Sequence, residues 1–295
     1  MGENATISSD HWPGAGDIGG LAVTGPRFTV IVPTHDRPEL LAEALASVEA
    51  QTVSDFECLV IDDASDPPAV IPSDPRFRLI PLSANRGPSA ARNAGLDAAV
   101  GEVVTFLDDD DLWTPVRLAL AEEGLYRAPV TVCGKLNLDD PEGPVVCGPD
   151  GEVADTILDS YTPQVGATAV RREVVPHFDE AFDNLEDVDW WVRLAAIAPV
   201  ASVTGVGLLY RRHSGPRDRT GGPQRLLDNQ RYLALHADWF ASHRRAAAFR
   251  WWRVGDIAME VGEPRVARRA FWRSLWLRPS LQTAGALRRS VLARA

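Results

Sequence analysis

Residues 108–111 are four consecutive aspartates placed directly after the apolar run Val103–Leu107. Like charges a few ångströms apart repel one another unless a cation neutralises them. A divalent metal is the natural remedy, because Mg²⁺ prefers one or two carboxylates together with phosphate oxygens. A carboxylate-x-carboxylate loop at a strand end therefore suits a metal-diphosphate. Taken alone, the run also reads as a solvated acidic turn ahead of a helix that starts near Thr114. Its position after a buried strand favours the metal reading.

The elements that must hold these groups follow from the hydrophobic pattern. Phe28–Pro33, Phe56–Ile61, Phe77–Ile80 and Val103–Leu107 are short apolar, β-branched runs expected as strands. Between them, Pro38–Gln51 carries Leu40, Leu41, Leu45 and Val48 at helical spacing. Pro88–Val100 is Ala-rich, and Thr114–Tyr126 is a third helical stretch. Continuous apolar strands alternating with helices predict an α/β fold, a parallel sheet covered on both faces. Ligands of such sheets bind beyond the carboxyl ends of the strands. The residues there are polar in every case: Thr34-His35-Asp36-Arg37, Asp62-Asp63-Ala64-Ser65, Asn85-Arg86-Gly87 and the four aspartates. Four strand ends thus converge on one polar rim.

Beyond about Thr131 the alternation is less regular, with strands expected at Gln164–Val170 and Val200–Tyr210 around a helix from Leu185 to Ile197. Residues 224–295 read as all helix. The expected organisation is a leader at 1–26, an α/β domain at 27–223 and a helical extension at 224–295. The α/β domain divides into a half at about 27–128 that carries the polar strand ends and a half at about 129–223 that suits an acceptor-side lobe. The leader is rich in Gly, Pro, Ser, Asp and Asn and reads as flexible. No run approaches the roughly 18 apolar residues of a membrane span, and no basic start precedes an apolar core, so a cytoplasmic location without a transmembrane segment is expected. Cys58, Cys133 and Cys147 show no metal spacing and read as buried thiols. The formal charge of −11 is uneven: residues 1–223 hold 16 Lys/Arg against 36 Asp/Glu, and residues 224–295 hold 14 against 5. So acidic a body disfavours nucleic acid as a partner.

Four ordered motifs, Val30–Arg37, Leu59–Ser65, Asn85–Gly95 and Phe106–Asp111, together resemble glycosyltransferase family 2 over about residues 28–213. The resemblance implies the GT-A fold, a Rossmann-like and mostly parallel sheet with helices on both faces. It also implies a metal-dependent transfer of sugar from a nucleotide diphosphate sugar to an acceptor hydroxyl with inversion at the anomeric carbon. Carried over by motif, Pro33, Thr34 and Arg37 border the nucleotide. Asp63 accepts a hydrogen bond from the base, with Asp62 as the second choice. Pairing of a carboxylate with the N3–H of uracil makes UDP the first choice, although relatives also use GDP and dTDP sugars. Against this, Asp62 and Asp63 also read as turn or helix-capping residues. Asn85, Gly87, Arg92 and Asn93 fall near the donor in the family pattern. Asp110 is the implied direct ligand of Mn²⁺ or Mg²⁺, with Asp108 a further ligand, and Asp108 or Asp109 near the ribose.

An inverting transfer needs a base that takes the acceptor's proton as it attacks. In Asn184-Leu-Glu-Asp-Val-Asp-Trp-Trp191, which resembles the family's Glu-Asp motif, that base is Asp187. Asp189 is a rival that points elsewhere on a helix, and a plain helix N-terminal role is the structural alternative. Trp190 and Trp191 read as core or as a wall beside a sugar. His213 matches a position that completes the metal or diphosphate site, and residues 214–222 read as a lid or a linker. The tail pattern Trp251, Val254, Gly255, Ala258, Gly262, Ala267, Phe271 and Pro279 resembles one tetratricopeptide repeat. A lone repeat cannot bury its own faces, so it is expected to dock on the body or to form a homodimer. The Arg excess also suits anionic lipid or an anionic acceptor, but no strong membrane-facing apolar stripe is evident in the sequence. A non-catalytic nucleotide-sugar-binding scaffold and a nucleotidyltransferase are the alternatives. The second lacks its Gly-rich loop after the first strand, and an EF-hand calcium module lacks its spacing. Sugar and acceptor identity leave no mark on the sequence.

Overall fold

The computed structural model describes residues 25–154, 157, 162–212 and 222–292. All but the last two residues of the expected leader, His213 and residues 214–221 of the expected lid lie outside the described residues. The chain forms two compact units.

The first unit comprises the described residues of 25–154, 163–177 and 193–212. Its elements in order are β1 (Phe28–Thr34), α1 (Pro38–Glu49), β2 (Phe56–Asp62), β3 (Phe77–Pro81), α2 (Gly87–Ala98), β4 (Val103–Phe106) and β5 (Leu112–Trp113). These are followed by α3 (Arg117–Leu125), β6 (Val130–Asn137), β7 (Thr168–Arg171) and, after α4 (Glu186–Ala195), β8 (Val200–Tyr210). The sheet order is β3-β2-β1-β4-β7-β6-β8-β5. The block β3-β2-β1-β4 is parallel, as the alternating pattern requires. Every residue of β1 and β4 is buried, which shows both faces of the sheet to be covered at its centre.

Three elements differ from the sequence expectation. β7 runs antiparallel to both β4 and β6, so the sheet is mixed and mostly parallel. The run expected as a strand from Gln164 begins with a single 3-10 turn at Val165–Ala167 and becomes extended only at Thr168. The strands β5 and β6 were absent from the expectation. β5 has two residues, and β6 turns from the buried Val130–Gly134 to the half-buried Lys135–Asn137, which breaks the apolar run.

The packing of α2 on the sheet depends on a residue without a side chain. A Cβ at Gly95 would lie 2.5 Å from Cγ2 of Ile31 in β1. Ile31 is fully buried and has no free direction in which to yield. At the start of α2, Gly87 takes φ +84°, a left-handed conformation that glycine adopts without strain.

The second unit holds residues 178–192 with the C-terminal helices α5 (Gly222–Leu235), α6 (Ala237–Ser242), α7 (Arg244–Glu260), α8 (Pro264–Leu277) and α9 (Leu281–Leu292). The partition thus differs from the boundary at residue 223: the segment bearing Asp187 groups with the helices that follow it. Polar links join them. Asn184 donates its backbone N–H and its amide to Asp228 (3.0 Å each), Arg231 pairs with Asp179 (3.0 Å) and His236 Nε2 meets Asp189 at 2.8 Å. In α7 and α8, Val254, Ile257, Ala258, Ala267, Ala270 and Phe271 are buried. Gly255 receives the Phe271 ring where a Cβ would lie 2.5 Å away, and Gly262 turns the chain at φ +77°. α7 and α8 pack on one another as a helical hairpin. Among the described residues no helix is long and apolar enough to cross a membrane.

Gly95→Ala is expected to lower stability by about 1–3 kcal/mol through overpacking against Ile31. Urea unfolding followed by circular dichroism checks this, and an unchanged midpoint would refute the close approach.

Candidate active site

β4 ends at Phe106, and the backbone N–H of Leu107 still donates to Ile31 of β1 (3.0 Å), so the aspartates emerge from a fixed strand end. The Asp111 N–H closes a turn on the Asp108 carbonyl at 3.1 Å, which curls the run on itself. Oxygens of Asp108, Asp110 and Asp111 come within 4.8 Å of one another. The fourth aspartate turns elsewhere: Asp109 is buried and accepts from Thr34 Oγ1 (2.9 Å) and Arg37 Nη1 (3.0 Å).

Neighbouring elements supply partners for this charge. Arg37, one residue before α1, also reaches Asp110 at 2.9 Å. Arg92 of α2, itself buried, pairs with Asp108 at 2.6 Å. Beyond β8, Arg211 donates its backbone N–H to Asp111 (2.8 Å) and its Nε to the Asp110 carbonyl (3.1 Å), while its Nη2 pairs with Glu43 of α1 (2.6 Å).

The titration behaviour shows how far compensation goes. Burial, then the charges of Asp108 and Asp110, push the Asp111 carboxyl up to about 8, against the pull of the Arg211 N–H and Lys135. Burial likewise raises Asp109 above the ordinary carboxylate range despite Arg37 and Thr34. The Arg37 guanidinium is weakened as an ion by burial but strengthened more by Asp109 and Asp110, and ends above its usual value. Asp111 is thus held among carboxylates without enough positive charge to keep it ionised at neutral pH. A divalent cation fits such a donor set, since three carboxyl oxygens already converge and a cation would favour the ionised form of Asp111.

The other strand ends form a brace beside this cluster. Asp62 accepts the N–H groups of Ser65 and Ala69 (both 2.9 Å); burial opposes its ionisation, but these bonds hold it below its usual range. Asp63 is buried and accepts from the N–H groups of Arg86 (2.8 Å) and Gly87 (2.7 Å), capping the start of α2. Asn85 is exposed and its Oδ1 accepts from the Gly87 N–H at 3.2 Å. Pro33 is buried within β1 and Asn93 is buried on α2. Asp36 and Ala64 take positive φ angles of 52° and 63°, so both loops are bent in a way that side chains resist. They are tied together by Asp36 N–H to Ser65 Oγ (3.0 Å) and Asp66 N–H to Asp36 Oδ1 (2.8 Å).

The first unit therefore brings together Thr34, Arg37, Asp62, Asp63, Asn85, Gly87, Arg92 and the four aspartates. Asp187 belongs to the second unit, in the first turn of α4, where its Oδ1 accepts the Val188 N–H at 2.8 Å. Leu185, two residues before it, has φ 69°. Asp189 is fully buried against His236, and Trp190 and Trp191 are fully buried, with Phe178 stacked on Trp190 at 5.1 Å. These three side chains are core. Two residues of the acidic site were not singled out in the sequence: Asp111 and Arg211. Asp111 was visible as the unassigned member of the run, and Arg211 lies two residues before the motif histidine.

A Rossmann-like, mostly parallel sheet with polar strand ends and an acidic loop at its centre defines a fold of the GT-A class. Residues 29–142 match the model of "Glycosyl transferase family 2", so this part of the chain is similar to that family. Among curated relatives, the succinoglycan biosynthesis protein ExoW of Rhizobium meliloti is 43% identical over 110 residues, 34% of this chain and 34% of the relative. The matched stretch thus spans about a third of that protein's length. Among solved structures, S. aureus TarS 1-349 in complex with UDP-GlcNAc superposes with a TM-score of 0.57 at 18% identity, over 89% of this chain and 92% of that one. The mannosyltransferase PcManGT from Pyrobaculum calidifontis, in complex with GDP-Man and Mn²⁺, gives 0.54 at 20% identity over 91% and 80%. Both likenesses are of fold.

The raised Asp111 carboxyl has a consequence for stability. The native state keeps this proton up to about pH 8, while the unfolded chain releases it near the ordinary value of 3.8. Its contribution to stability without metal is therefore fully present below about pH 4 and declines as pH rises towards 8. Asp111→Asn removes that decline. Urea midpoints in EDTA should favour the variant increasingly between pH 5 and 8, by at least about 1 kcal/mol at the upper end. A constant difference across the range refutes the assignment.

Proposed function

We propose that the protein is a metal-dependent, inverting glycosyltransferase that takes its sugar from a nucleotide diphosphate donor. The observation carrying this reading is the convergence of Asp108, Asp110 and Asp111 within 4.8 Å at the end of a buried central strand. That donors of this type, UDP-GlcNAc and GDP-Man with Mn²⁺, accompany two proteins of the same fold supports it.

Asp110 and Asp108, with the buried Asp111 behind them, are the residues that would hold Mn²⁺ or Mg²⁺. Bound there, the ion supplies Lewis-acid neutralisation of the diphosphate leaving group. The protein's own groups do the rest. Arg37 and Arg92 already lie against the aspartates and offer charge to phosphate oxygens when the carboxylates are occupied otherwise. Asp63 uses one lone pair of each oxygen on the Arg86 and Gly87 N–H groups, which fixes the carboxylate and leaves a second lone pair for the N3–H of uracil. This favours UDP. Asp187 is the base that removes the acceptor hydroxyl's proton. It lies in the first turn of α4 with Glu186 and Asp189, of which Asp189 is engaged in the core with His236 and is unavailable for that role.

Asp110→Ala is expected to abolish the Mn²⁺-dependent part of UDP binding in calorimetric titration; identical isotherms for variant and wild type would remove the metal assignment. Asp187→Asn should keep UDP affinity unchanged while slowing sugar transfer by at least about 100-fold. Full turnover in that variant would remove Asp187 as the base.

A further inference from the structure

After Glu263 the chain contains no acidic residue, and eight arginines follow. In α8, Arg265, Arg269, Trp272 and Trp276 fall within about 60° of arc at 3.6 residues per turn. All four are exposed, Trp272 by 61% and Trp276 by 73%. The opposite side of the helix holds the buried Ala267, Ala270, Phe271 and Ser274. Just beyond α8, Leu281 is 94% exposed, and α9 adds exposed Arg288, Arg289 and Val291 (57%). Among the described residues Arg265, Arg268, Arg269, Arg278, Arg288 and Arg289 make no ion pair, whereas Arg225, Arg231 and Arg253 on earlier helices each have a carboxylate partner. Trp272 and Trp276 therefore stand with the arginines on the outer side of the helix.

We infer that this face of α8, continued by Leu281 and α9, docks on an anionic membrane surface. Exposed large aromatics are costly in water but favourable at the headgroup level, where the apolar ring and the indole N–H are both satisfied. Unpaired arginines beside them add attraction to anionic headgroups. The combination of an aromatic stripe, flanking arginines and a complete lack of acidic residues is that of a helix lying in the interface plane. A second copy meeting it through the same face is the poorer occupant, because it would bring the same uncompensated positive charge against itself.

The test uses the full chain and sedimentation with vesicles of phosphatidylcholine alone or mixed with phosphatidylglycerol. Binding is expected only to the mixed vesicles, weakening as salt rises. Trp272→Ser with Trp276→Ser should lower it by at least about tenfold, as should Arg265→Glu with Arg269→Glu. All four positions are exposed, and unchanged thermal unfolding ties the loss to the surface. Equal binding to both vesicle types, no binding by the wild type, or a concentration-dependent dimer in sedimentation velocity that the tryptophan variant abolishes would each overturn the inference. UDP titration separates this result from the proposed transferase reading, since neither pair of substitutions touches the donor site.

Discussion

Mutual repulsion among the carboxylates of Asp108, Asp109, Asp110 and Asp111 is the constraint around which the first unit is organised. β4 delivers all four to one place, and the surrounding elements each contribute part of the compensation: Thr34 at the end of β1, Arg37 before α1, Arg92 on α2 and Arg211 after β8. The sheet order β1-β4 brings the first of these into reach, and the return of β8 brings the last. Compensation stops short at Asp111, whose carboxyl stays near 8 through burial and the charge of Asp108. A site that favours an added cation is what remains when protein charges are placed generously around three aspartates and sparingly around the fourth.

The brace around that cluster is made of backbone. Asp62 and Asp63 hold the N–H groups of Ser65, Ala69, Arg86 and Gly87, so the loops after β2 and β3 are fixed by carboxylates. Bent conformations at Asp36 and Ala64 are sustained by the bonds between those loops. The two readings of Asp63, turn former and base-recognising group, are in this way compatible. A carboxylate held by two N–H groups is a rigid acceptor for a third.

The parallel half of the fold was legible because its strands are buried on both faces and read as unbroken apolar runs ending in polar motifs. β5 and β6 escaped because one has two residues and the other becomes half-buried midway, and the direction of β7 is set by pairing with β4, which local pattern does not encode. Within the site, Asp110 and Asp108 were legible from the run of acids. Asp111 required knowing how tightly the turn from Asp108 closes, and Arg211 acts on it through a backbone N–H that no side-chain type announces. Trp190 and Trp191 settled as core once burial was known.

Charge is handled in opposite ways at the two ends of the chain. In the domain around β4, acidic groups are concentrated and then answered by arginines at 2.6–3.0 Å. Helices α5 and α7 still follow that practice, with Arg225 on Glu260 and Arg253 on Asp256. From α8 onward the practice ceases. A hairpin needs only Ala267, Ala270, Phe271 and Ser274 from α8 to close on α7, and any good helix former would serve on the outer side. Trp272 and Trp276 occupy that side instead, and Arg244 over the Trp276 ring at 5.0 Å leaves the indole mostly in water. Two exposed indoles on a helix without acidic residues of its own cost solubility and add to the hairpin only the Arg244–Trp276 contact, and the inferred membrane surface accounts for their place.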